Sequence, residues 1–253
     1  MNNCSYRRCF WILIAYLAFQ PYSIRGDGDQ SPGDKKTAVD KAASPVPAKI
    51  VYQPPMRGAP AVRVTGASRG SDQSVASVSV LAPEHVGITT KEQPALFWYQ
   101  SKTANAKFEL TLVEGEKVKP VLEITVDGIK EAGIHRLKLS DHQVKLAPNV
   151  EYQWVVALVT DPENRANDII TSGMIKRIEP SAELRDKLRK TDPAGLPVLY
   201  AQEGIWCDAV ETLSDLIDAQ PDNKTLHDQR ADLLKQVGLP TAAAFDARLA
   251  SGK

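Results

Sequence analysis

Glu84, Glu92 and Asp168 are carboxylates in the loops between apolar runs, where a pair could act as general acid and base in a hydrolysis. His85, His135, His142 and His227 could ligate a metal, yet no two share the spacing that sets ligands on one face of a strand or helix. Histidines so scattered read as surface or turn residues. The stretch "DPENRANDI" (161–169) gathers Asp161, Glu163, Asn164, Asn167 and Asp168 around Arg165. Oxygen-rich loops hold calcium, but this one lacks the glycine-centred loop of calcium signatures. Arg165, within reach of Asp161 and Asp168, fits a salt-bridged hairpin connection instead.

Cys207 follows the N-terminal pair Cys4 and Cys9, so no disulfide is expected within the remainder of the chain. A lone thiol can be a nucleophile or an interchain link; beside Trp206 on an expected helix it reads as a small apolar filler. Gly-x-Ser-x-Gly, a phosphate-cradling loop, His-Glu-x-x-His and Cys-x-x-Cys are all absent from the sequence. No cofactor and no metal are expected.

The remaining chemistry is basic. Arg57, Arg63 and Arg69 recur every six residues in "VYQPPMRGAPAVRVTGASRG" (51–70), with no carboxylate until Asp72. Six is even, so in an extended chain the three guanidinium groups share one side. They would either pair with acidic residues of this chain as the segment shields an edge strand, or bind an acidic partner or polyanionic glycan.

Overall charge gives little direction. Lys+Arg and Asp+Glu both number 31 among 253 residues, so nothing in the net charge attracts nucleic acid. At the N-terminus, Arg7 and Arg8 precede the apolar run 9–19, and Gln20-Pro21 breaks it. This reads as a secretory signal peptide over 1–26, cut near Gly26. As helix, the run would span about 16 Å, roughly half a bilayer core. An uncleaved short anchor is the alternative. Residues 27–50 hold almost nothing large and apolar and read as a disordered linker.

Elements that would position these side chains follow from periodicity. Between 75 and 180 it is two, with strands expected at 75–82, 95–100, 106–115, 121–126, 134–140, 152–160 and 169–178. The connection 85–94 is expected as a loop in which Thr89-Thr90 orders the turn. Seven short strands with frequent turns indicate a β-sandwich of immunoglobulin or fibronectin type III kind. "LAPNVEY" (146–152) resembles the tyrosine corner of the latter, placing Tyr152 to bond back to the upstream backbone.

Phe97, Trp98 and Tyr99 are adjacent. Alternation puts Leu96 and Trp98 on one face and Phe97 and Tyr99 on the other, so the three cannot form one stacking platform for a sugar. They read as core. Trp154 shares parity with Tyr152 and is the expected core partner of Trp98.

After Pro180 the period becomes 3.6. Ser181 is an N-cap, and 193–223 resembles one tetratricopeptide repeat: its second half keeps the Gly204, Trp206, Ala209, Leu213, Leu216 and Pro221 spacing, while its first half departs at Pro193 and Pro197. A further helix is expected to stop at Gly238 and Pro240, leaving 241–253 as a tail. One such hairpin unit (181–240) cannot stand alone, so it must dock on the sandwich.

Four stretches, "PPMRGAPAVRVTGASRG" (54–70), "LAPEHVGITTKEQPALFWY" (81–99), "YQWVVALVTDPENRANDIITSGMIKRIEP" (152–180) and "LYAQEGIWCDAVETLSDL" (199–216), together resemble the bacterial domain-of-unknown-function family 928. The resemblance covers about 52–240. It implies a commonly exported protein without an assigned activity, and it transfers no functional residues. Where the family shows a denser glycine run, this chain has Thr65-Gly66-Ala67-Ser68. The reading is an exported, non-catalytic protein-interaction module of the cell envelope. Its expected partner is another envelope protein, and no membrane span is expected after signal cleavage. An envelope hydrolase or a carbohydrate-binding module is the alternative.

Overall fold

Alternating sequence along 75–180 becomes strand wherever it was read, and one further strand joins it. The computed structural model describes residues 49–55, 63, 76–115, 117–127 and 131–251. The expected signal peptide, nearly all of the linker, and Arg57 and Arg69 lie outside those residues.

Among the described residues eight strands run in chain order: β1 (Val78–Val80), β2 (Gly87–Thr89), β3 (Ala95–Gln100), β4 (Lys107–Glu114), β5 (Leu122–Val126), β6 (Gly133–Lys138), β7 (Glu151–Val159) and β8 (Ile169–Arg177). Five α-helices follow: α1 (Ala182–Lys190), α2 (Leu196–Gln202), α3 (Trp206–Ala219), α4 (Lys224–Gln236) and α5 (Pro240–Ser251). One sheet has the order β1-β3-β6, the other β2-β8-β7-β4-β5. All pairings are antiparallel except β2 with β8.

The two sheets share a core because their alternating apolar rows face each other. Phe108, Leu110 and Leu112 on β4 are fully buried, while Glu109 and Thr111 between them turn toward solvent. From the smaller sheet, Trp98 reaches across to Phe108, with ring centroids 5.6 Å apart. Trp154 lies in the same core, but the aromatic contacts of Trp98 run to Phe108 and His135. Gly173 sits where β1 crosses β8: a Cβ there would stand 2.8 Å from Ala82 Cβ. Before β7, the Tyr152 hydroxyl accepts the Ala147 N–H at 3.0 Å, the bond back to the upstream backbone expected of it.

β3 is buried on both faces. Leu96 and Trp98 face the core between the sheets; Ala95, Phe97 and Tyr99 face a second core with Trp206, Ala209, Leu213 and Leu233 of the helices. The three adjacent aromatics therefore fill two cores across one strand. Trp206 Nε1 donates to Leu81 O at 2.8 Å, fixing α3 on the smaller sheet. The helical part docks on the sheets as expected.

Two expectations change. The connection 85–94 contains β2, too short to show a period, which adds in parallel to the end of β8. The expected tail 241–253 is helical to Ser251, because Pro240 opens α5 rather than ending its predecessor, and the alanine-rich run after it favours helix. α4 and α5 form a second helical pair after α2 and α3. Ser181 caps α1 as read, accepting the Leu184 N–H at 3.1 Å.

Candidate functional site

Residues 49–55 form an arm laid on the helices. Ile50 is buried in the helical core, and the chain beyond it is extended by Pro54 and Pro55. The Gln53 N–H donates to Ala201 O at 3.0 Å, at the end of α2. Gln236 of α4 accepts the Tyr52 N–H at 2.9 Å and donates to Ile50 O at 3.2 Å. Gly204, at φ +74°, makes room: a Cβ there would stand 2.7 Å from Gln53 O.

This arm delivers Tyr52 to a surface cleft. The Tyr52 ring lies edge-on to Trp206, with centroids 5.1 Å apart, and stacks on His85 at 5.9 Å and 8°. Its hydroxyl is 2.8 Å from His85 Nε2. Burial pushes the Tyr52 phenol up, with the Cys207 thiol adding to the rise, and burial pulls the His85 imidazole down. Both shifts disfavour the charged forms of the pair. Pro54, Pro83, Glu84 and Gly238 complete a cleft of about 380 Å³. Glu84 stands at its rim, its side chain 80% exposed.

Arg63 lies behind two of the lining residues, Val237 and Gly238. It donates to Ala82 O at 3.0 Å, Val237 O at 2.8 Å and Gly238 O at 3.0 Å, and lies 3.9 Å from Glu84. A guanidinium at the C-terminal carbonyls of α4 satisfies groups the helix leaves open. Its side chain is 6% exposed and bonded to its own chain.

The carboxylates read as an acid–base set are not brought together. Asp168 bonds Arg165 at 2.7 Å before the start of β8. Glu92 pairs with Lys145 at 3.1 Å and with Arg177 at 3.4 Å, at that strand's far end. The nine residues between make the separation roughly 30 Å. The loop 161–169 is salt-bridged as expected, but the second partner of Arg165 is Glu109 of β4, at 3.0 and 2.6 Å, rather than Asp161.

The histidines are equally dispersed. His135 lies on Trp98 and Phe108, and His142 is exposed in a turn. His227 departs from the surface expectation. It is buried between Asp246 Oδ1 at 3.2 Å and Pro221 O at 2.9 Å, because α5 carries Asp246 to it. Arg230 forks onto the same Asp246 at 2.7 and 2.8 Å. Among the described residues no group of three histidine, cysteine or acidic side chains is placed to hold a metal.

A family-model match spans residues 64–245, more than half of the chain. The chain belongs to the Domain of Unknown Function (DUF928) family. Among curated proteins, none matches it. A multi-domain immunophilin from Arabidopsis thaliana aligns over 77% of this chain and 100% of that one, at 10% identity and a TM-score of 0.17. Likeness at that level carries no argument about fold or function. Within the DUF928 match lie Glu84, His85 and Gln236 of the cleft; Tyr52 precedes it.

The DUF928 region also holds a buried polar clamp that periodicity passes over. Asp208, in the first turn of α3, accepts the Thr89 hydroxyl at 2.5 Å and the Thr90 N–H and hydroxyl at 2.9 and 2.5 Å. Glu211 one turn on accepts the Ala95 N–H at 3.0 Å and pairs with Lys91 at 2.9 Å. Burial raises the Asp208 carboxyl, opposed by the threonines and Lys91. Cys207 sits between the two cores; a Cβ on Gly87 would lie 3.1 Å from its sulfur. Burial, followed by Asp208 and Glu211, pushes its thiol well above the ordinary range, away from a reactive thiolate. The sequence signal for the clamp was an acidic residue in a helical first turn, which local helix-dipole preference already accounts for.

Proposed function

We propose that this DUF928 chain is an exported, non-catalytic protein-interaction module of the cell envelope. Its two sheets are read as an immunoglobulin or fibronectin III-like sandwich, a reading supported by the Tyr152 bond to Ala147 N. Its helices are read as a tetratricopeptide-like unit around Gly204 and Trp206.

The single observation that carries the function is the Tyr52–His85 cleft. It offers a flat aromatic wall, proline edges and one exposed carboxylate. An extended partner segment fits this chemistry, its apolar side chains against Tyr52 and Pro54 and a lysine or arginine toward Glu84. His85 Nε2 is already engaged by Tyr52, and Glu92 and Asp168 are held in ion pairs at opposite ends of β8. These arrangements favour binding over hydrolysis. The aromatic run Phe97–Tyr99 is committed to two cores, which disfavours a sugar platform there.

Site-specific photo-crosslinking in the native host tests the proposal. A photo-reactive residue at Glu84 is expected to give a discrete protein adduct in the envelope fraction, and one at Ile170 is not. Retention of the protein in the cytosol, or identical adducts from both positions, overturns it.

A further inference from the structure

The backbone edges of the two sheets are not treated alike. α3 covers β2, where Asp208 takes the Thr90 N–H at 2.9 Å. The β1 edge turns its Val80 N–H to Thr171 Oγ1 of β8 at 3.3 Å. α5 lies against β6, where a Cβ on Gly133 would meet Phe245 at 3.4 Å. Among the described residues, only β4 pairs with β5, and nothing pairs with its outer edge. That edge carries one internal charge, Glu123, and no internal lysine or proline.

The atoms presented on this edge follow from the register. Gly115 N–H donates to Glu151 O at 2.8 Å, so odd-numbered residues of β4 bond toward β7. Even-numbered ones, such as Leu110 opposite Ile124, bond toward β5. On β5 itself the even residues are therefore engaged, and Glu123 and Thr125 turn their N–H and C=O groups outward. Val121 N–H donates to Leu112 O at 2.8 Å, a bulge that ends the pairing just before the strand.

We propose that β5 is a self-association edge, at which a second copy of this chain adds antiparallel about a two-fold axis through Ile124. In that register Glu123 and Thr125 of the partner form the hydrogen-bonded pair, twice over. Leu122 meets the partner's Val126, and Ile124 meets the partner's Ile124, covering Val126 and Ile124, which β4 leaves half-exposed beside buried Leu122. The pairing joins the two five-stranded sheets into one.

Charge selects this register. Moving the axis to Glu123 sets two carboxylates opposite each other, and moving it to Thr125 sets Glu123 against Asp127. Of these three registers, the axis at Ile124 leaves every carboxylate facing a neutral residue, and like charges directly opposite are unfavourable. Exposed Val121 flanks the strand, 40% accessible, and adds apolar surface. Two short edges bury less than the roughly 1,000 Å² of a lasting complex, so the dimer is weak and reversible.

Sedimentation velocity on the purified protein, up to about 500 µM to reach weak association, tests this with two substitutions at the exposed Thr125. Thr125→Glu places like charges opposite at both pairs and is expected to weaken dimerisation about tenfold; Thr125→Lys places Glu123 opposite a lysine and strengthens it by about as much. Thermal melting checks that both variants stay folded, and their opposite signs keep the test informative should one fail. A chain that stays monomeric throughout, or an association that both variants shift alike or neither shifts, overturns the proposal.

Discussion

Thr89 and Asp208, 119 residues apart, meet through a 2.5 Å hydrogen bond that ties a short parallel edge strand to the first turn of α3. Replacing Thr89 with Val keeps the shape and removes the donor, leaving a buried carboxylate oxygen short of a partner. The expected loss is about 1–3 kcal/mol. Burial already raises the Asp208 carboxyl above its unfolded value. A raised carboxyl contributes fully below the unfolded pKa and loses that contribution as pH rises through the folded one. Thr89→Val removes a group that favours the ionised form, so its penalty should be larger at pH 7 than at pH 4. Urea denaturation at the two pH values measures this; equal penalties would show that the hydroxyl does not serve the carboxylate.

Gly204→Ala should loosen the arm. The substitution places a side chain at φ +74° and drives its Cβ to 2.7 Å from Gln53 O. The backbone conformation alone costs about 1–2 kcal/mol, and the clash adds to it. The expected outcome is a lower denaturation midpoint together with faster proteolysis near residues 49–55. A midpoint that drops while the arm stays protected would mean the helical hairpin, not the arm, depends on this glycine.

Tyr152→Phe removes the acceptor for Ala147 N–H. Ala147 is exposed, so water can replace the lost partner, and the loss should stay near about 0.5–1.5 kcal/mol. The reading of this loop as a tyrosine corner would not survive an unchanged midpoint.

Stability should also fall in mild acid. Burial lowers the imidazoles of His85 and His135 below the ordinary value of 6.5. A lowered histidine contributes fully above its unfolded pKa, and the contribution is lost as pH falls through the folded pKa. Stability should therefore decline between pH 7 and pH 5, and the pair His85→Gln and His135→Gln should flatten that decline. An identical slope in the double variant would assign the decline to other groups.

Strands of the larger sheet were legible because one of its faces is dry and the other wet: Phe108, Leu110 and Leu112 alternate with Glu109 and Thr111. β2 was not, since three residues whose polar Thr89 points into a buried clamp carry no alternating signal. α5 was hidden by Pro240, which reads as a stop for one helix and serves as the first residue of the next. Of the arginine series, spacing placed three guanidinium groups on one side. It held no information that the carbonyls of Val237 and Gly238 would receive Arg63 from 174 and 175 residues away.

By itself the sequence determined which faces had to be buried: period two, then period 3.6, and an aromatic triplet split between opposite faces of β3. Such rules act between neighbours along the chain, through backbone geometry and apolar patterning. What filled each face was decided only in three dimensions. Phe97 and Tyr99 meet helices more than a hundred residues later, Tyr52 meets His85 across the arm, and among the described residues β5 has β4 alone as a strand neighbour. Those relationships depend on how separate elements stack, and on which polar groups burial leaves in need of a partner. Local sequence carries neither.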